Sequence, residues 1–386
     1  MLRHTIEPRQ GWQAQAESVG FTFHHMDGQA YWDEAAYYSF TLEQVEEHIE
    51  AAAETIHAMC LSLVAEVVES EDLMQDLAIP PSSRDYIKRS WAGRDPSLYG
   101  RFDFAYDGKG PPKLYEYNAD TPTSVFEAGV FQWLWLEDLI ASGALPGDAD
   151  QFNSLHDKLR DRWTAICPKV ALLHFTSEEH AIEDRQTVRY LEDVAVQAGL
   201  APKFVPIEMI GVNSDGRFVD ADDVVIEALF KLHPWEEMLR LPYAQNLAGA
   251  ACQFFEPAWK SILSNKGILP LLWERYPNHP NLLPAYFNHD PRKNELGRSY
   301  VRKPLFSREG ANILLVQDGQ EHDVLDQGYG AEGRIVQALH PLPDFDGNYP
   351  VIGAWMVGDE PAGMGIREDR ELVTKNFSRF LPHAIV

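Results

Sequence analysis

Two carboxylates, an amide and a guanidinium recur at strand spacing in residues 100–118, Gly-Arg-Phe-Asp-Phe-Ala-Tyr-Asp-Gly-Lys-Gly-Pro-Pro-Lys-Leu-Tyr-Glu-Tyr-Asn. Asp103, Glu116 and Asn118 offer hard oxygen donors. Mg²⁺ favours such donors when it also keeps waters and phosphate oxygens. Arg101 beside them could hold a phosphate through two parallel N–H bonds and offset charge that develops during transfer. The chemistry such a set could perform is phosphoryl transfer. An amphipathic hairpin with a solvated polar face would carry the same pattern, and on spacing alone both readings stand.

The elements that position these residues follow from the same stretch. Asp107-Gly108-Lys109-Gly110-Pro111-Pro112 is a strong turn signal between two alternating runs. Side chains alternate faces along a strand, so Arg101 and Asp103 share one face while Phe102 and Phe104 share the other. In the second run Glu116 and Asn118 share a face, with Tyr115 and Tyr117 opposite. Folding the hairpin sends four aromatics to the core and gathers the four polar groups on one surface.

Cations for a triphosphate must come from elsewhere. Lys266 lies in Ser-Asn-Lys-Gly-Ile-Leu-Pro, and Lys303 in Tyr-Val-Arg-Lys-Pro-Leu-Phe on an expected strand. A lysine in an apolar strand is unusual unless its head reaches a partner; the plainer alternative is a surface residue with a snorkelling stem. Ser307-Arg-Glu-Gly-Ala-Asn312 follows, a turn whose backbone N–H groups could cover phosphates. No GxxxxGK[ST] occurs, which excludes a P-loop. His24, His25 and His279 show no zinc spacing.

The rest reads as scaffold. Thr41-x-x-Gln44 is a capping box ahead of Val45, Ile49, Ala53, Ile56, Cys60, Leu63, Val64 and Val67 at helical spacing. A second helix is expected over Ser124–Leu139, capped by Thr123 or Ser124. Residues 165–235 carry a βα pattern, 236–276 read as mostly helical, and strands are expected at Tyr300–Leu305, Ile313–Val316, Gly333–Leu339 and Val351–Val357. The fold class is therefore α+β / α/β. It divides into 1–164 with the hairpin, a small α/β lobe at 165–235, and a C-terminal part at 236–386.

Charge narrows the partners. The 386 residues carry 59 acidic and 33 basic side chains, a net charge of −26. Such a surface repels nucleic acid and anionic membranes and would attract a cationic substrate, although solubility alone accounts for many acidic proteins. Cys60, Cys167 and Cys252 are widely spaced in apolar contexts and suggest buried thiols in a reducing cytoplasm. The opening residues hold no apolar leader.

Three strings are more specific than spacing: Tyr-Gly-Arg-Phe-Asp-Phe, Tyr-Glu-Tyr-Asn-Ala-Asp-Thr-Pro and Phe-Gln-Trp-Leu-Trp-Leu-Glu. They resemble the synthetase domain of the glutathionylspermidine synthase family and its stand-alone relatives, from about residue 10 to the C-terminus. The resemblance implies an ATP-grasp-like fold in circularly permuted order, with the metal hairpin ahead of the phosphate lysines, plus a small α/β substrate lobe. It implies Mg²⁺ ligation by Asp103, Glu116 and Asn118, and stabilisation of the transferring phosphoryl group by Arg101. Lys266 and Lys303 match positions that hold ATP phosphates. Arg308 and Arg367 match arginines near the transferred group. Gly310 belongs to the covering turn, and Gln337 and Leu339 to a segment resembling the one that borders adenine, the alternative being an ordinary strand end.

Thr121 and Ser124 could contact the acid, or cap a helix. Glu183 and Asp184 resemble acidic residues near the amine, or form a charged first helical turn. The implied reaction is ATP- and Mg²⁺-dependent amide formation between a carboxylate and an amine, glutathione-like and polyamine-like, through an acyl-phosphate. The amidase domain of bifunctional members finds no room here. A phosphotransferase, or a silent nucleotide-binding protein on the same scaffold, are the alternatives.

Overall fold

The computed structural model describes residues 1–26, 28–308, 310–322, 327–372 and 378–386. Residue 309, inside the expected phosphate-covering turn, lies outside the described residues.

The first helix forms as its pattern requires. Thr41 and Gln44 satisfy each other reciprocally: the Gln44 N–H donates to Thr41 Oγ1 at 3.2 Å, and the Thr41 N–H donates to Gln44 Oε1 at 3.1 Å. The helix runs through Gln44–Glu50 and Ala51–Val67, and all eight residues of its apolar stripe are buried.

Three sheets position the site. The first is antiparallel, ordered Arg379–Leu381, Glu360–Asp369, Tyr349–Val357, Tyr99–Ala105, Lys113–Asn118. The expected hairpin is its edge, completed by strands from the far C-terminus. The second is antiparallel, ordered Ala285–Phe287, Arg334–Ala338, Tyr300–Pro304, Leu314–Gln317, Gln320–His322. The third is parallel, ordered Gln253–Phe255, Ala228–Lys231, Leu173–Thr176, Pro202–Phe204. Helix Ile182–Gln197 is the crossover between two of its strands.

Three differences from expectation have physical causes. The parallel sheet takes Gln253–Phe255 from a segment read as mostly helical, and so extends past 165–235; a short apolar run does not by itself tell strand from helix. The strand Glu360–Asp369 has no expected counterpart, yet it forms a hairpin with Tyr349–Val357 through a turn at Gly358. Within the Arg101–Asn118 hairpin the register shifts between Asp103 and Phe104, so Leu114 pairs with Phe104 and takes the core position. Phe102, Phe104 and Tyr117 are buried as expected, but Tyr115 is turned out of that core, and its hydroxyl donates to the His340 carbonyl. The second helix starts at Val125, within a residue of expectation, with the Ser124 carbonyl accepting from the Ala128 N–H, but the Ser124 hydroxyl does not cap it.

Candidate functional site

The hairpin register sets Arg101 opposite Asn118 and Asp103 opposite Glu116. All four polar side chains meet. Arg101 donates to both Asp103 oxygens, at 2.7 and 3.1 Å. The Asn118 amide donates to Asp103 Oδ2 at 3.1 Å and to Glu116 Oε1 at 3.3 Å. Arg101 is folded down across the neighbouring strand: a Cβ at Gly353, the residue paired with Asp103, would lie 2.8 Å from Arg101 Cδ. A glycine is needed there to give the guanidinium its seat. Its far side donates to the Thr123 carbonyl at 2.9 Å.

Both lysines arrive from distant sequence. Lys266 Nζ stands 3.2 Å from Glu116 Oε2 and donates to the Ser307 carbonyl at 2.9 Å. Lys303 Nζ donates to Gln337 Oε1 at 2.7 Å and to the Tyr115 carbonyl at 3.0 Å. Burial opposes ionisation of Glu116, but Lys266, Lys303 and Arg101 outweigh it and hold its carboxyl down at about 2. Burial, reinforced by Lys266 and opposed by Glu116, pulls Lys303 down to about 8.

Three cavities adjoin at Glu116, which lines them all. One, about 110 Å³, lies between the two antiparallel sheets. Val301, Ile313, Leu315, Leu339 and Val351 make it apolar, Lys303, Gln337 and His340 give it a polar margin, and Gly310 lies at its edge. Apolar walls with a few polar groups suit a planar heteroaromatic ring. The second holds Lys266 with Asn118, Thr121 and Arg308. The third, about 130 Å³, brings Arg101, Asp103, Glu116, Asn118, Thr121, Glu183, Asp184, Arg308, Gly310 and Arg367 into one polar cleft. Arg308 donates to Thr121 Oγ1 at 3.1 Å. Every sequence-derived site residue thus lines one of these cavities or, for Ser124, the space beneath Arg101 and Arg367.

The helix-cap alternative for Ser124 fails. Ser124 is buried in a left-handed conformation (φ 72°), and its hydroxyl lies 3.4 Å from Glu183 Oε1. Thr123, expected only as a cap, instead donates to that same oxygen at 2.6 Å.

Glu127 escaped the sequence reading. It is buried behind Ser124, and Tyr31 donates to it at 2.8 Å. Burial and the charge of Glu183 push its carboxyl up to about 7, against Tyr31 and Arg367. The available signal was a glutamate among Val125, Phe126, Ala128 and Gly129. Gly353 was missed as well, since nothing in Val-Ile-Gly-Ala-Trp reveals what crosses it.

The donor set bears on a metal. Among the described residues no group of three His, Cys, Asp or Glu side chains forms a cage for an ion. Two carboxylates and the Asn118 side-chain amide nonetheless converge beside two lysines, the amide turning its nitrogen to the carboxylates; a rotation about its Cβ–Cγ bond would present the oxygen instead. That composition fits Mg²⁺, which takes few protein ligands and completes its shell with water and phosphate.

Comparison with known proteins agrees with this architecture. The chain belongs to the family described as glutathionylspermidine synthase preATP-grasp, whose model matches residues 3–386. A putative acid–amine ligase from Haemophilus influenzae is 40% identical over 96% of this chain and 95% of its own length. The bifunctional glutathionylspermidine synthetase/amidase of Escherichia coli is 28% identical over 91% of this chain, which spans 59% of that protein. A glutathione synthetase-like effector from Globodera pallida, solved in its apo form, shares the mixed fold with a TM-score of 0.50 at 11% identity, covering 91% of this chain and 89% of its own. The class is that of enzymes that join carbon to nitrogen. Among the described residues no helix is long and apolar enough to cross a membrane.

Proposed function

We propose that this chain is an ATP- and Mg²⁺-dependent carboxylate–amine ligase of permuted ATP-grasp architecture that works through an acyl-phosphate. One arrangement carries the reading: Asp103, Glu116 and Asn118 converge on one face of a hairpin while Lys266 and Lys303, from the far side of the sequence, close on the same carboxylate. Ion pairs within the site keep these charges together until a ligand takes them over.

In this reading Asp103, Glu116 and Asn118 would hold Mg²⁺, which would supply positive charge to offset that of the phosphates. Lys303 and Lys266 hold the triphosphate, with Gly310 over it and Gln337 and Leu339 beside the base. The acid sits near Thr121 and Ser124, where its carboxylate attacks the γ-phosphate, breaks the β–γ phosphoanhydride bond and releases ADP as the leaving group. Arg101, Arg308 and Arg367 balance the charge spread over the transferring group. The amine, oriented by Glu183 and Asp184, attacks the activated carbonyl and phosphate leaves. Positioning does most of the work, and no protein nucleophile is required.

The test is ADP release with Mg²⁺ across a panel of peptides and other acids crossed with polyamines, other amines and amino acids. A ligase releases ADP only when acid and amine are both present, and the product contains both. ADP release with the acid alone, together with a stable phosphorylated product, would replace the ligase with a phosphotransferase.

A further inference from the structure

The largest cavity described lies outside the charged cleft. It encloses about 430 Å³ on the parallel lobe, with Phe218, Leu229, Met238 and Phe254 as buried walls. Its position follows from topology. Glu178, Ile207 and His233 line it, and each comes just after the carboxyl end of a parallel strand, Leu173–Thr176, Pro202–Phe204 and Ala228–Lys231 respectively. Open parallel sheets bind ligands at that end. The same end of the lobe starts helix Ile182–Gln197, whose first turn sends Glu183 and Asp184 into the charged cleft. His233 is also close enough to Arg308 for their charges to interact.

The lining decides the kind of guest. It contains no lysine or arginine, and its exposed rim carries the carboxylates of Glu178 and Glu208. A carboxylate guest would meet like charges there. A polyamine would place an ammonium against Leu229 or Phe254 without a partner, which an apolar interior penalises heavily. An amine with one apolar body meets neither objection. A dry cavity of about 150 Å³ already holds a benzene ring, so this one accommodates a ring with an alkyl linker.

We infer that this cavity, on the lobe that also borders the charged cleft, binds an aralkyl or long-chain alkyl monoamine, its apolar body inside and its nitrogen at the rim carboxylates of Glu178 and Glu208.

Binding tests this directly by titration calorimetry of the full chain with 2-phenylethylamine, n-hexylamine, spermidine and the neutral 2-phenylethanol. The two monoamines are expected to bind, spermidine to bind much more weakly, and the alcohol to lie between them. Val212→Trp places an indole at the mouth, where Val212 is 42% exposed, and should weaken 2-phenylethylamine at least about tenfold. Leu241→Trp, at another exposed lining position, is the second variant should the first fail to fold. Glu178→Gln with Glu208→Gln should erase the preference for the amine over the alcohol. No monoamine binding to the wild-type chain, or wild-type binding by a folded tryptophan variant, overturns the pocket. Ligase failure reads out separately: monoamine binding with no amine-dependent ADP release for any acid–amine pair removes the ligase reading and leaves the pocket standing.

Discussion

Buried lysine–carboxylate pairs occur in two settings, which differ in how many of their hydrogen bonds the fold has already taken, although Asp120 borders the Lys266 cavity. Beside the hairpin, Lys266 and Lys303 surround Glu116 at the meeting point of three cavities. In the seam with the parallel lobe, Lys231 pairs with Asp120 at 2.5 Å, and Lys260 with Glu256 at 2.9 Å. Burial pulls Lys231, Lys260 and Lys303 all below the usual lysine value, so perturbation alone does not separate the settings. Their remaining partners do. Lys231 also donates to the His233 carbonyl, and Asp120 accepts from the Trp235 N–H. Glu256 accepts from the backbone N–H groups of Leu98 and Tyr99, and Lys260 donates to the Tyr99 carbonyl. Those charges are saturated by the fold and tie its layers together. The charges at Glu116 stand beside room for a ligand.

The sharpest break of this comparison is Asp103→Ala. Loss of a metal ligand and of the Arg101 anchor should lower kcat by roughly 10³-fold or more, about 4 kcal/mol of transition-state stabilisation. The midpoint of denaturant unfolding should fall by less than for Glu256→Ala in the seam, because Arg101 keeps the Thr123 carbonyl and its place near Glu116. Full metal-dependent turnover by Asp103→Ala would remove the ligand assignment. Glu256→Ala should do the reverse. It leaves Lys260 charged and buried without its partner, at a cost of about 3 kcal/mol in stability. Denaturant unfolding measures that loss, while kcat per folded molecule should hold. A variant as stable as the wild type would erase the distinction between the two settings.

Gly353→Ala sharpens the site half of the comparison. Its new methyl would sit 2.8 Å from Arg101 Cδ, so the guanidinium must lift from its seat. A misplacement of this size should cost about tenfold in kcat, with stability changed by less than about 1 kcal/mol. Steady-state kinetics beside a thermal melt would decide it, and unchanged kcat would mean that the Arg101 seat is irrelevant to turnover.

The site was more legible than its frame. Period-two alternation placed Arg101, Asp103, Glu116 and Asn118 on one face because strand geometry depends only on local sequence. Tyr115 went astray because the register shift beside Asp103 is settled by how the strands pair. Phe254 and Phe255 lie in a run too short for periodicity to assign, and the parallel sheet captures it. Glu127 and Gly353 matter through Tyr31 and Arg101, which are distant in sequence. The positions of Lys266 and Lys303 were legible only through the family strings, since an apolar neighbourhood marks many lysines that serve the fold alone, Lys231 and Lys260 among them.

The smallest effect separates the two kinds of lysine by sign. Free Lys303 titrates near 8, and only its charged form can hold a phosphate. Between pH 7.5 and 8.5 its protonated fraction falls about threefold, so the affinity for Mg·ATP should weaken by up to about threefold. Stability should move the other way. From about pH 8 toward the usual lysine value, the unfolded chain binds a proton that the folded chain has released, so stability rises with pH across that window. Lys303→Met should abolish the nucleotide slope and make the stability slope shallower, the remainder coming from Lys231 and Lys260. Lys231→Met should leave the nucleotide slope intact, because its charge is spent within the seam. Calorimetric titration of Mg·ATP at the two pH values, set beside denaturant unfolding, reads both quantities. A nucleotide affinity that stays level across pH 8 while stability climbs would assign Lys303 to the fold and remove it from the site.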